Sequence, residues 1–188
     1  MATSTRIKAL GERIQACREC ERARVTYLKF PFSACGNPNS PIWIVGADPP
    51  HLKDHGCPRF WSGNAGRNLR EPIQSAFGNG SLERLFYLTD IVKCHRQTRR
   101  LSLTVISNCT KWIVQEARLL KPQAAIVLGN DAANIFKSPA FHGSLDVVFL
   151  PHPSPANSAT VNREVGGWHE YHLRLVKECK RLRREYGA

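Results

Sequence analysis

The chain has 188 residues, 42% of them hydrophobic, and carries a formal net charge of +12. That length suits one domain spanning 1–188 with one sizeable core, and no apolar run approaches the ~18 residues of a membrane span. The charge makes a polyanion the default partner, with plain solubility charge as the alternative. The first 13 residues lack the apolar centre of a signal peptide, which predicts a reducing cytoplasm as the location, and a monomer is expected. Seven cysteines there read as metal ligands or plain thiols rather than a disulfide framework.

In chain order, Ile7, Leu10 and Ile14 recur at helical spacing and predict a helix over 5–21. A loop rich in Gly, Pro, Asn and Ser over 35–41 leads to a strand over 42–45. A polar stretch over 51–63 precedes a helix over 65–76, and Gly78-Asn79-Gly80 marks a turn. The aromatic and β-branched run over 85–92 reads as a buried strand. A helix over 106–120 ends before Pro122; a strand over 124–128 stops at Gly129; a short helix over 131–136 and a strand over 147–150 follow. The last helix, over 167–186, has Trp168, Tyr171, Leu175 and Cys179 on an apolar stripe and Arg174, Lys177, Lys180, Arg181, Arg183 and Arg184 as a basic run. That run is either a solvated face or a surface that tracks DNA. Strands alternating with helices predict an α/β fold: a three-layer α/β/α sandwich around a mostly parallel, four-stranded sheet.

Two proline-stiffened motifs each follow a strand: Gly46-Ala47-Asp48-Pro49-Pro50-His51 and His152-Pro153-Ser154-Pro155. Ligands of open α/β sheets bind beyond the carboxyl ends of strands, so one carboxylate and one imidazole are expected at that rim. The cysteines form a second constellation. Cys17 and Cys20 are a Cys-x2-Cys pair, Cys94 follows the long strand, and Cys109 comes after 14 intervening residues. Four thiolates satisfy tetrahedral zinc or a [4Fe–4S] cluster, and spacing alone does not choose between them.

Together these motifs resemble the uracil-DNA glycosylase superfamily, whose signatures are G-x-D-P and H-P-S-P. The resemblance extends to Trp61-Ser62-Gly63-Asn64-Ala65-Gly66-Arg67-Asn68-Leu69 and to the strand between Pro122 and Gly129. Its family 4 and 5 branches carry four cysteines in the pattern of Cys17, Cys20, Cys94 (in Val92-Lys93-Cys94) and Cys109, which implies a structural [4Fe–4S] cluster. Cys35, Cys57 and Cys179 match nothing in that pattern and read as ordinary thiols. Asp48 in the third motif position is similar to family 1, so the chain joins a family 4 type of cluster to a family 1 type of motif.

The implied activity is DNA glycosylase: hydrolysis of the N-glycosidic bond of a deaminated base, uracil foremost, at the start of base excision repair. Negative charge gathers on the departing base while the sugar becomes cationic. A carboxylate near C1′ (Asp48) and a donor at the base carbonyl (His152) meet those charges, and such a donor is typically worth ~3 kcal/mol. By resemblance, Trp61 takes the place of the phenylalanine that stacks on the extruded base. Gly46, Ala47, Asp90 and Ser154 join it in binding substrate, and Asn64 and Arg163 contact DNA.

Two departures stand out. Asp90 replaces the family's asparagine, so either it is protonated, the preferred base is not uracil, or it turns away. Ala156 replaces a wedging leucine, and the polar loop over 157–163 suits phosphate contact better than intercalation. Basic residues in Gln97-Thr98-Arg99-Arg100-Leu101 lack the histidine of the superfamily's cross-linking branch, so covalent capture is not expected. A cluster- or zinc-bearing nucleic-acid-binding protein without catalysis is the alternative reading.

Overall fold

A computed structural model describes residues 3–22, 27–28, 34–49, 61, 63–96, 102–139, 141, 143 and 145–187. The elements run α1 (Thr3–Gln15), α2 (Glu19–Arg22), β1 (Tyr27–Leu28), β2 (Ala34–Gly36), β3 (Ile42–Gly46), α3 (Asn64–Phe77), α4 (Ser81–Leu85), β4 (Tyr87–Asp90) and β5 (His95–Arg96). They continue with α5 (Leu103–Leu120), β6 (Ala124–Leu128), α6 (Asn130–Phe136), β7 (Asp146–Leu150), α7 (Ser158–Val165) and α8 (Trp168–Tyr186). Residues 50–60, 62 and 97–101, which include His51, Cys57, Ser62 and the basic run over 97–101, lie outside the described residues.

The central sheet has the order β2-β4-β3-β6-β7. Strands β4, β3, β6 and β7 are parallel, as expected, and β2 adds a fifth, antiparallel strand at one edge. The expected four-stranded sheet is therefore corrected to five. The loop expected over 35–41 takes in Cys35 and Gly36 because residues beside a Gly-Asn-Pro-Asn tract carry no period; pairing to β4 makes Ala34–Gly36 a strand. A separate ribbon pairs β1 with β5.

Strands β3, β4 and β6 are buried on both faces, so their sequences read as mostly apolar runs, whereas the edge strand β7 buries Val148 and Leu150 and leaves Val147 and Phe149 half-buried. Strand alternation sends Ile42, Ile44, Ile126, Leu128 and Leu88 to one face, where they meet Leu69 and Ile73 of α3 and Tyr171, Leu175, Cys179 and Leu182 of α8. Trp43, Val45, Val127 and Tyr87 go to the other, against Leu10 and Ile14 of α1 and Val105, Cys109, Trp112 and Ile113 of α5. Each fully buried Leu or Ile contributes on the order of 2 kcal/mol. Three layers follow from that arithmetic: neither face can be left to water.

Three helical segments depart from the sequence pattern: α4 is a short helix that ends at Leu85, so the strand expected over 85–92 is confined to Tyr87–Asp90, and two others follow. The helix expected over 5–21 breaks after Gln15 and resumes at Glu19, which leaves Cys17 in the break and Cys20 in the second piece. The loop expected over 157–163 is instead the start of α7, held by burial of Val161 under α8. Helix α8 is fastened to the start of β7 by Arg181, whose guanidinium donates to both carboxylate oxygens of Asp146 at 2.6 and 3.1 Å and to Glu178 and Glu185 at 2.8 Å. One member of the basic run is thus a structural tie.

Candidate functional site

The strand order changes direction about β3, with β4 on one side and β6 on the other, so the crevice beyond their carboxyl ends is where such sheets bind ligands. Gly46-Ala47-Asp48 leaves β3 at this rim and His152 leaves β7. The first motif is held by backbone bonds from the chain after β4: the Ile91 N–H donates to the Gly46 carbonyl at 3.0 Å, and the Val92 N–H donates to the Ala47 carbonyl at 2.9 Å. Asp48 is half-buried there.

The second motif is fastened from three directions. The Tyr171 hydroxyl of α8 donates to the Pro151 carbonyl at 3.1 Å, the Asn68 amide of α3 to the Pro153 carbonyl at 2.9 Å, and the Asn157 amide to the His152 carbonyl at 3.2 Å. The Ser154 backbone N–H donates to Nδ1 of His152 at 3.2 Å. An Nδ1 that accepts carries no proton, so this bond selects the neutral ring with its hydrogen on Nε2. His152 therefore presents a hydrogen-bond donor without a full positive charge. The sequence reading left Asn68, Asn157 and Tyr171 without these roles, although Asn68 lies inside a quoted motif.

Trp61 and His152 are ring neighbours, with centroids 5.8 Å apart and planes 31° from parallel. Trp61 has φ of 60°, a left-handed conformation that costs a bulky residue on the order of 1–3 kcal/mol and persists only where its surroundings enforce it. They do so here: a Cβ on Gly66 would overlap the Trp61 carbonyl, and one on Gly46 would collide with the Trp61 ring and with Oδ1 of Asp90. Gly46 is the small residue that lets tryptophan and aspartate meet over the strand end.

Asp90 ends β4 opposite Gly46 in register. Its exposure is 0%, and neither carboxyl oxygen has a hydrogen-bond partner among the described residues. Burial pushes its carboxyl well above the usual aspartate range; the negative charge of Asp48 raises it further, Lys93 opposes, and Glu116 adds to the rise. On the opposite face, Lys93 Nζ donates to Glu116 Oε2 and Thr89 Oγ1, each at 2.6 Å, and the Tyr87 hydroxyl donates to Glu116 Oε1 at 2.5 Å. Both partners of this ion pair are wholly buried. The sequence reading missed it, since only the fold brings residues 93 and 116 together.

Asn64, Arg163 and Ala156, also singled out from the sequence, are exposed. Asn64 begins α3 and is exposed, and Arg163 on α7 is exposed and paired with Glu164 at 3.0 Å. Ala156 is exposed in a short turn, Pro155–Asn157.

Of the cysteines in the four-residue pattern, Cys17 follows α1, Cys20 lies on α2 and Cys109 is on α5. Burial pushes the Cys109 thiol up to about 11, with a backbone bond from Lys93 opposing and Cys20 and Cys17 adding to the rise. Burial also raises Cys20, with Asn108 opposing and Cys17 adding. These three thiols are therefore within electrostatic reach of one another, and Cys94 follows the Lys93 that bonds Cys109. Among the described residues, no three His, Cys, Asp or Glu side chains are grouped as a metal-ion site. Cys17, Cys20, Cys94, Cys109 and Cys179 form no disulfide, whereas Cys35 is disulfide-bonded. This corrects the expectation of an ordinary thiol at Cys35, whose burial in the edge strand β2 has no counterpart in the cysteine spacing.

Comparison with known proteins agrees with the geometry. A Type-5 uracil-DNA glycosylase of Pyrobaculum aerophilum is 25% identical over 115 residues, covering 55% of this chain and 51% of its own. The chain thus spans about half the length of that relative. The family model described as the uracil DNA glycosylase superfamily matches residues 34–168, which take in β3, β4, β6, β7 and both loop motifs, and the chain belongs to that superfamily.

Proposed function

We propose that the chain is a DNA glycosylase that hydrolyses the N-glycosidic bond of a deaminated base in DNA, uracil foremost, and so initiates base excision repair. The observation that carries this reading is the convergence of a carboxylate loop and a neutral, Nε2-protonated imidazole at the carboxyl ends of parallel strands. Asp48 stabilises the cationic sugar and orients water. As the C1′–N bond breaks, its electron pair leaves with the base, the water oxygen bonds to C1′, and the water proton passes to Asp48. His152 donates from Nε2 to the base carbonyl, where the negative charge collects. A donor that is already neutral gains by sharing its proton with an anion and needs no solvent rearrangement to do so.

Trp61 supplies the stacking face for the extruded base, and Gly46, Ala47, Asp90 and Ser154 wall the pocket around it. Asn64 and Arg163 stand on exposed helices where phosphates pass. The four cysteines Cys17, Cys20, Cys94 and Cys109 hold a [4Fe–4S] cluster. A cluster fits this donor set better than one ion: each thiolate binds a different iron, so the sulfurs need not converge on a point. When bound, it supplies folding energy to the break between α1 and α2 and to the start of α5.

Incubation with single-stranded DNA bearing one uracil, followed by alkaline cleavage of abasic sites, tests the activity. Cleavage at the uracil is expected, and intact DNA from a correctly loaded protein refutes it. Protein purified without oxygen is expected to be brown, with the colour lost in Cys17→Ala and Cys109→Ala. A colourless protein with stoichiometric zinc refutes the iron–sulfur assignment.

A further inference from the structure

We propose that Asp90 reads the target base as a carboxylic acid: its carbonyl oxygen accepts from a ring N–H and its hydroxyl donates to the neighbouring ring carbonyl. The site then takes bases that present an –NH–C(=O)– edge. This rests on the glycosylase reading and deepens it by naming the group that recognises the base.

Three observations lead here. Asp90 is wholly enclosed, yet both carboxyl oxygens lack a partner among the described residues, so two hydrogen-bonding positions are held open inside the fold. Buried polar groups in folded proteins are almost always paired, and a buried ion without a partner is worse placed still. The open positions face the functional crevice: Asp90 is in register with Gly46, two residues before Asp48, and a Cβ on Gly46 would strike both Oδ1 and the Trp61 ring. A base stacked on Trp61 therefore brings its edge to Asp90.

The charged groups facing Asp90 decide which form does the reading. Asp48, from the loop after β3, repels a second negative charge. Lys93, from the chain after β4, attracts it, and Glu116 of α5 repels it. Lys93 and Glu116 are an ion pair at 2.6 Å and largely cancel at a distance, which leaves Asp48 and burial in control. Two carboxyls at adjoining strand ends thus divide the work: the one nearer solvent is ionised and meets the sugar, while the enclosed one keeps its proton and meets the base.

An acid differs from an amide in a testable way, because it can lose its donor. Ionised, Asp90 offers two acceptors and repels a ring carbonyl. Single-turnover excision of uracil from single-stranded DNA, measured from pH 5 to 9 for wild type and Asp90→Asn, separates the forms. Infrared difference spectra of the same proteins read the carbonyl stretch of a protonated carboxyl. Wild-type excision is expected to fall at least about tenfold relative to Asp90→Asn toward the alkaline end, and the protonated-carboxyl band present in wild type is expected to be missing from the variant. Uracil excision with parallel pH profiles, or a wild type without the band at neutral pH, overturns the inference alone. The infrared measurement stands even if Asp90→Asn is too poorly folded to assay. No excision by wild type from any deaminated substrate overturns the glycosylase reading, and this inference with it.

Discussion

Among the described residues, two carboxyls are removed wholly from water, and they are treated in opposite ways. Glu116 of α5 accepts from Tyr87, Thr89 and Lys93, so its charge is matched by an ammonium and its oxygens by hydroxyls. Asp90, across the sheet on the face of Leu88 and Trp61, has no hydrogen-bond partner for either oxygen among the described residues. The difference separates a buried acid that holds the fold from one whose proposed task is to meet a base. A satisfied network spends its hydrogen bonds within the protein; an unsatisfied one keeps them for something that arrives.

The largest effect is expected on the Glu116 side. Glu116→Leu strands Lys93 as a buried, unpaired cation and is expected to lower unfolding free energy by ~3–5 kcal/mol in urea titrations. The double variant Lys93→Met/Glu116→Leu is expected to lose less than the sum of the single changes, because no lone charge is left behind. Equal and additive losses would show that the pair is not coupled as drawn.

The next effect is kinetic and belongs to the ligand side. Asp48→Asn and His152→Ala are each expected to slow single-turnover excision by roughly 10²-fold or more with little change in DNA affinity, since the proposed role of both groups is to meet charge that exists only in the transition state. Near-wild-type rates in both variants would remove them from the chemistry.

A smaller effect sharpens the contrast through pH. The folded state holds the Asp90 proton to higher pH than the unfolded chain does, where the ordinary value is 3.8. Its contribution to stability is therefore whole below that value and is lost as pH rises toward the elevated folded-state value. The melting temperature of Asp90→Asn is expected to match wild type in acid and to exceed it increasingly with pH; a constant offset would mean that Asp90 titrates normally. The smallest effect concerns the rim. Ala156→Leu is expected to raise excision from paired U·A several-fold and from single-stranded DNA hardly at all, because only the duplex leaves a gap for a wedge to fill. Equal gains on both substrates would place the leucine's benefit elsewhere.

How much of this was legible beforehand differs by region. The parallel strands at 42–45 and 124–128 were readable because strands buried on both faces must be apolar throughout, and the edge strand at 147–150 because its run of valine, phenylalanine and leucine is apolar even where half-buried. The helix with Tyr171, Leu175 and Cys179 was readable for the same reason, through its 3.6-residue period. Strand β2 was not, since three residues acquire strand geometry only from β4. Helix α7 was hidden by a polar composition that its single buried residue, Val161, does not outweigh.

By itself the sequence determined the alternation of strands and helices, the two rim motifs and the cysteine spacing, because each is written in residues close together along the chain. Only the tertiary structure decided what the individual groups can do. The Nε2 tautomer of His152 depends on one backbone N–H two residues away in a turn held by Asn157, Asn68 and Tyr171. The pairing of Lys93 with Glu116 depends on α5 lying across β4. The open valences of Asp90 depend on Trp61 and Gly46 closing around it. Charge, protonation and hydrogen-bonding capacity are properties of an environment, and the environment of a buried group is assembled from residues far apart in the chain.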